Sequence, residues 1–195
     1  MKTNHFWNLP NILTLLRIAA VPVMVWVLWE PPGRWMARAA MAIFVVAMIT
    51  DIIDGYLARK WGLVSVVGAF LDPLADKLMV VTTLVMLVSH GWLPAWLVAL
   101  MICRELTITA LRTIAVSEGL VLAASTLGKF KTAFQATALG FLLWHHETDF
   151  LWLFHVDVHA CGVILMYFAL FFSLVSAGSY LMSFFEHAPS LDAQA

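Results

Sequence analysis

The sequence predicts an all-α fold: a polytopic membrane protein of six transmembrane helices preceded by a short interfacial segment. Three observations lead there. Of the 195 residues, 63% are hydrophobic and only 12% charged, where a soluble domain is about half apolar and roughly a quarter charged. Mean hydropathy is +0.91. The apolar residues run continuously over stretches of about 20, the length that crosses a bilayer as a helix, and do not alternate as barrel strands do. With a net charge of −1, the composition excludes an ordinary soluble enzyme, a disordered segment and a basic nucleic-acid binder.

The elements follow in order. Residues 1–8 carry Phe6 and Trp7 close to Lys2 and suit a segment lying flat at the interface. The first helix is expected over 12–29 and is stopped by Pro31-Pro32-Gly33. Lys2 and the apolar run that follows have something of a signal peptide, with Ala37-Arg38-Ala39 as a faint cleavage site. The prolines between them and the membrane-like remainder favour an uncleaved helix. Later helices are expected over 35–58, 66–89, 94–116, 126–145 and 159–185. Trp61-Gly62, Gly91 with Pro94, Ser117-Glu118-Gly119 and the polar stretch from His145 to Asp157 separate them. Six crossings use the whole length, so 1–195 reads as one membrane domain. Cys103 and Cys161 fall in apolar stretches and are expected as buried thiols.

An even number of crossings puts both termini on one side. That side carries Lys2, Arg59, Lys60, Lys129 and Lys131, with Arg112 near a helix end, while the opposite side has Arg34 and Arg38 and its 90–93 and 145–158 loops have no Lys or Arg. The positive side is the cytoplasmic one, which places the termini and the loops at 59–65 and 117–125 there.

In a chain so poor in charge, Asp51, Asp54, Asp72 and Asp76 stand out. A charge at the membrane centre costs at least about 2.5–3.5 kcal/mol, so such residues face an interior, a water-filled cavity or a bound ion. Helix positions three or four apart share a face, so each pair converges, toward the cytoplasmic ends of the second and third helices. Four carboxylates at close range take up protons unless cations neutralise them. All-oxygen donors favour Mg2+, Mn2+ or Ca2+. Gly55, Ala58, Gly68 and Ala69 leave room for a bulky ligand, and Arg59 adds a cation for an anionic one. The pattern describes a metal site for a pyrophosphate-like group at the membrane surface. The plainer alternative is that the aspartates cap helices or pair with Arg59, Lys60 and Lys77.

The run Asp51-Ile52-Ile53-Asp54-Gly55-Tyr56-Leu57-Ala58-Arg59, then eight residues, then Gly68-Ala69-Phe70-Leu71-Asp72-Pro73-Leu74-Ala75-Asp76 resembles the signature of the CDP-alcohol phosphatidyltransferases. All eight specified positions over 51–76 are met. The resemblance implies six crossings and two divalent cations, Mg2+ or Mn2+, held by Asp51, Asp54 and Asp72 with Asp76 beside them. It implies that Asp76 is the general base. Gly55, Ala58, Arg59 and Gly68, with Asp51, match the positions that hold the CDP moiety. It further implies a homodimer in the bacterial cytoplasmic (inner) membrane, with the active site on the cytoplasmic side and no nucleic-acid partner.

The acceptor is read from other cations. Arg104 and Glu105 lie inside the fourth segment, Arg112 is seven residues beyond Glu105, and Lys129 and Lys131 open the fifth. A basic pocket formed by Arg104, Arg112, Lys129 and Lys131 suits an acceptor that carries its own phosphate. Alternatively, the lysines are positive-inside anchors and Arg104 pairs with Glu105. Arg104-Glu105 through Arg112, Leu127–Thr132 and Leu9-Pro10-Asn11 through Arg17 resemble the bacterial phosphatidylglycerophosphate synthase branch of the family. That branch implies transfer of the phosphatidyl group of CDP-diacylglycerol to glycerol 3-phosphate, with release of CMP. Asn11, Thr14 and Arg17, three apart, are expected to extend the polar wall on the nucleotide side.

Sibling transferases acting on inositol phosphate or phosphatidylglycerol remain alternatives. An aspartate-rich intramembrane prenyltransferase is disfavoured by the intervening Gly-x-x-Ala-Arg, and an ion transporter by the lack of an internal repeat. His145, His146, His155 and His159, with Glu147, Asp149 and Asp157, read as a solvated outer loop. Trp29, Trp35, Trp92 and Trp96 at helix ends read as an interfacial belt.

Overall fold

The computed structural model describes residues 9–61, 66–117, 126–145, 148–150 and 154–192. Six helices account for nearly all of them: α1 (Leu9–Val27), α2 (Arg34–Trp61), α3 (Val66–Ser89), α4 (Ala95–Ser117), α5 (Thr126–Trp144) and α6 (Val158–Asp192). The expected segments match these within a few residues, except that α6 continues to Asp192. At about 1.5 Å per residue its 35 residues outrun a hydrocarbon core of about 30 Å. The all-α class holds, with one short departure in a connecting segment. Thr148–Phe150 (β1) and Phe154–Val156 (β2) pair antiparallel in the segment expected as a plain loop. His155 therefore lies on a strand and His159 on a helix. The interfacial expectation for 1–8 lies outside the described residues, as does the loop at 118–125.

Local chemistry explains the boundaries. Pro10 sits at the start of α1, where a missing N–H costs nothing. Gly91 ends α3 with φ +70°, and Trp92 N–H closes back on Leu87 O at 2.9 Å, a left-handed cap that glycine adopts without strain. Asp157 caps α6, its Oδ1 accepting from Ala160 N–H at 2.9 Å. His145 ends α5 with φ +42°, its ring stacked on Trp92 at 3.6 Å and its Nδ1 3.1 Å from His159 Nδ1.

Helix α1 packs against α2 and α3, α5 lies along α6 in the most extensive contact, and α4 leans on α6. Buried residues segregate along the bundle. At one end Met24, Phe44, Leu84, Leu97, Leu139 and Met166, one from each helix, form an apolar core. Toward the other end, where α1, α3 and α5 begin and α2 and α4 finish, the buried set turns polar: Asn11, Thr14, Arg17, Asp54, Lys131 and Gln135. The outer surface is apolar, with Leu16, Trp26, Ile52, Leu106 and Met182 among the exposed side chains. Among the described residues two helices, over Arg34–Tyr56 and Val158–Glu186, are long and apolar enough to cross a membrane. Both cysteines are free thiols, but Cys103 is exposed on that outer surface and Cys161 only half-buried, so burial was wrongly expected for Cys103. An apolar neighbourhood in sequence marks a lipid-type surface as readily as a core.

Candidate active site

The acidic side of the polar end is built by three helices. The last part of α2 carries Asp51 and Asp54, and the first part of α3 carries Asp72 and Asp76. These four carboxylates line one cavity of about 430 Å³ with Ile52, Gly55 and Pro73. Helix α1 packs behind the acids with the face that bears Asn11, Thr14 and Arg17, all three buried. Arg17 reaches across with both terminal nitrogens, Nη1 to Asp51 Oδ1 and Nη2 to Asp54 Oδ2, each at 2.5 Å. Thr14 donates to Asp72 Oδ1 at 2.5 Å. Among the described residues, the cation paired with Asp51 and Asp54 is therefore Arg17. Lys60 lies over the Tyr56 ring and Lys77 donates to Thr109. The side chains of Ala58 and Arg59 lie outside the described residues, while Gly68 is buried at the start of α3.

The donor set fits divalent cations of the Mg2+ type. It is all oxygen, and four carboxylates face one cavity with, among the described residues, the guanidinium of Arg17 as their cationic partner. Among the described residues no three His, Cys, Asp or Glu side chains form a ready coordination sphere. One oxygen each of Asp51, Asp54 and Asp72 is instead held by Arg17 or Thr14.

Asp76 also opens onto a second, narrow cavity of about 160 Å³ that Glu105, Lys131 and Gln135 share. Glu105 and Lys131 in turn stand on the wall of a third cavity, about 620 Å³, lined by Arg104, Arg112, Lys129, Ser176 and Tyr180. All four cations expected to hold an acceptor phosphate thus line one space, a step away from Asp76. The pairing of Arg104 with Glu105 is present as well, at 2.7 Å. The same glutamate oxygen accepts from Lys131 Nζ at 2.5 Å. Arg104 is further held by α6, donating from Nε to Ser173 O and from Nη2 to Ser176 Oγ, both at 3.0 Å. The Arg112 guanidinium lies over the Tyr180 ring at 5.9 Å.

Sequence reading missed Glu105 as the centre of this network, along with Ser173, Ser176, Tyr180 and Gln135. Signals existed. Ser173 and Ser176 are three apart in an otherwise apolar helix, and Gln135 is one helical turn after Lys131 on the same face.

An acid-lined cavity near a basic one within an apolar helical bundle suits an enzyme that handles phosphate esters of lipids. The chain belongs to the CDP-alcohol phosphatidyltransferase family, whose model matches residues 7–175. It is similar to the CDP-diacylglycerol–glycerol-3-phosphate 3-phosphatidyltransferase of Bacillus subtilis, with 39% identity over 192 residues, covering 92% of this chain and 96% of that protein. The Escherichia coli protein of the same name is 38% identical over 179 residues, covering 90% of this chain and 93% of the relative. A probable phosphatidylglycerophosphate synthase of Mycobacterium tuberculosis is 39% identical over 176 residues, covering 89% and 80%.

Proposed function

We propose that this chain transfers the phosphatidyl group of CDP-diacylglycerol to glycerol 3-phosphate, giving phosphatidylglycerophosphate and CMP. The observation that carries the reading is the placement of the two cavities: four carboxylates line one and four cations the other, and Asp76 of the first also lines a narrow cavity that shares Glu105 and Lys131 with the second. The names of the similar proteins agree with it.

In this reading Asp51, Asp54, Asp72 and Asp76 hold two divalent cations, Mg2+ or Mn2+, which when bound neutralise the pyrophosphate of the CDP-lipid. Asp51, Gly55, Ala58, Arg59 and Gly68 lie against the CDP moiety, and Asn11, Thr14 and Arg17 form the wall behind the acids. Arg104, Arg112, Lys129 and Lys131 take the phosphate of glycerol 3-phosphate. Asp76 accepts the proton of the acceptor hydroxyl, whose oxygen attacks the phosphorus bearing diacylglycerol. The bond from that phosphorus to the bridging oxygen breaks, and CMP leaves.

The 1–195 chain forms one domain with six crossings in the bacterial inner membrane, its termini and site on the cytoplasmic side, and it works as a homodimer. The exposed apolar surface and the polar end of the bundle support this placement. The test is CMP release by the purified protein with Mg2+ or Mn2+ and each acceptor in turn. Turnover with glycerol 3-phosphate is expected. Turnover with inositol phosphate or phosphatidylglycerol and none with glycerol 3-phosphate overturns the assignment.

A further inference from the structure

A phosphate-binding cavity has no evident use for an anion, yet among the described residues lining the basic cavity Glu105 is a carboxylate set between its cations. Its Oε1 accepts at once from Arg104 Nη1 at 2.7 Å and Lys131 Nζ at 2.5 Å. The two cations come from different helices, Arg104 from α4 and Lys131 from α5. Lysine is a point charge on a flexible stem, and holding it in one place costs rotamer entropy. Glu105 meets that cost before any ligand arrives. It takes one of the three N–H donors of Lys131 and leaves the ammonium on the wall shared by the Asp76 cavity and the basic cavity. Arg104, anchored on its far side by Ser173 and Ser176 of α6, is drawn to the same point.

We propose that Glu105 is a positioning residue for the acceptor: by gathering Lys131 and Arg104 on one carboxylate oxygen, it presets both cations for the acceptor's phosphate beside Asp76. The proposal rests on the assignment of the basic cavity to that phosphate. The long-range repulsion between Glu105 and the phosphate is outweighed by the two charge-assisted contacts it presents in register. Glu105 acts through Lys131 and Arg104, so its removal falls on acceptor binding and leaves the CDP-lipid side alone.

The experiment is a steady-state comparison of wild type, Glu105→Gln, Glu105→Asp, Lys131→Met and the Glu105→Gln/Lys131→Met double variant, in detergent with Mg2+. Glu105→Gln is expected to raise KM for glycerol 3-phosphate about tenfold or more. Its kcat and its KM for CDP-diacylglycerol stay within about threefold of wild type, and the latter reports an intact fold. Glu105→Asp, which keeps the charge, recovers part of the loss. In the Lys131→Met background the same change raises KM by much less, because the cation it positions is gone.

A KM for glycerol 3-phosphate that is unchanged or lowered in Glu105→Gln overturns the proposal and makes Glu105 a mere counter-ion. Equal losses for both substrates, or effects that multiply in the double variant, overturn it as well. Wild-type protein inactive on glycerol 3-phosphate instead overturns the reaction assigned above, and this proposal with it.

Discussion

Arg17 Nη2 meets Asp54 Oδ2 at 2.5 Å, and both side chains are only 2% exposed. The other nitrogen of the same guanidinium takes Asp51 Oδ1, whose side chain is 35% exposed toward the cavity. Arg17 thus joins α1 to α2 and holds two carboxylates with one planar fork. Replacing Arg17 with Met strands the Asp54 charge in a buried site, and removing one partner of such a pair costs about 3–5 kcal/mol. Thermal unfolding in detergent is expected to show the loss. Adding Asp54→Asn should recover part of it by removing the stranded charge. A double variant as unstable as the sum of the single changes would show that Arg17 does not act on Asp54.

Asp76 differs from the other three acids in its position. Of the four it alone lines both the acid cavity and the narrow space shared with Glu105 and Lys131, where the proposed reaction brings the acceptor hydroxyl. A general base contributes about 10²–10⁴-fold. Asp76→Asn is therefore expected to cut the rate of CMP release at least a hundredfold while binding of a labelled CDP-lipid analogue survives within a few-fold. Near-normal turnover in this variant would remove Asp76 from the base role.

The all-oxygen donor set predicts a dependence on divalent cations. A chelator such as EDTA is expected to stop CMP release, and either Mg2+ or Mn2+ in excess to restore it. Turnover that persists undiminished in chelator would mean the carboxylates work with Arg17 alone.

Two arginines on the basic cavity are held differently and should fail differently. Arg104 makes hydrogen bonds to Glu105, Ser173 O and Ser176, so Arg104→Ala is expected to lower both stability and turnover. Arg112 rests over the Tyr180 ring, a contact of about 0.5–1 kcal/mol at an exposed site. Arg112→Ala is then expected to leave the melting temperature within a few degrees. A lost charge-assisted hydrogen bond to phosphate is worth about 1.5–3 kcal/mol, and KM for glycerol 3-phosphate should rise roughly ten- to a hundredfold. Unchanged KM values for both substrates would place the phosphate elsewhere.

The carboxylate pairs were legible in sequence because charge is expensive in an apolar helix and positions three or four apart must share a face. The helix limits were legible from Pro31-Pro32-Gly33, Gly91 with Pro94 and the polar stretch from His145 to Asp157, each of which acts on its own neighbours. The partner of Asp51 and Asp54 was not. Helical spacing fixes which residues share a face but says nothing about which helix lies opposite, and Arg17 is 34 residues before Asp51 in the chain. The link from Glu105 to Lys131 spans 26 residues and was hidden for the same reason. The β1–β2 hairpin escaped because three-residue strands carry too few positions to show alternation.

Two glycines of α6 separate packing from propensity. A Cβ built on Gly162 comes within 2.8 Å of Leu142 Cγ and 3.1 Å of the Leu142 backbone nitrogen on α5. The Leu142 side chain is fully buried, and a backbone atom cannot turn aside, so α5 and α6 must separate to admit the methyl group. Gly162→Ala is expected to destabilise the protein by about 1–3 kcal/mol, the usual cost of overpacking. Around Gly178 a Cβ meets nothing within 4 Å. There Ala should be neutral or better, gaining up to about 1 kcal/mol because it holds a helix more readily than glycine. Melting curves of the two variants under identical detergent conditions decide the matter. Equal shifts for both would mean that helix propensity, and not the close approach of α5 to α6, sets the effect at Gly162.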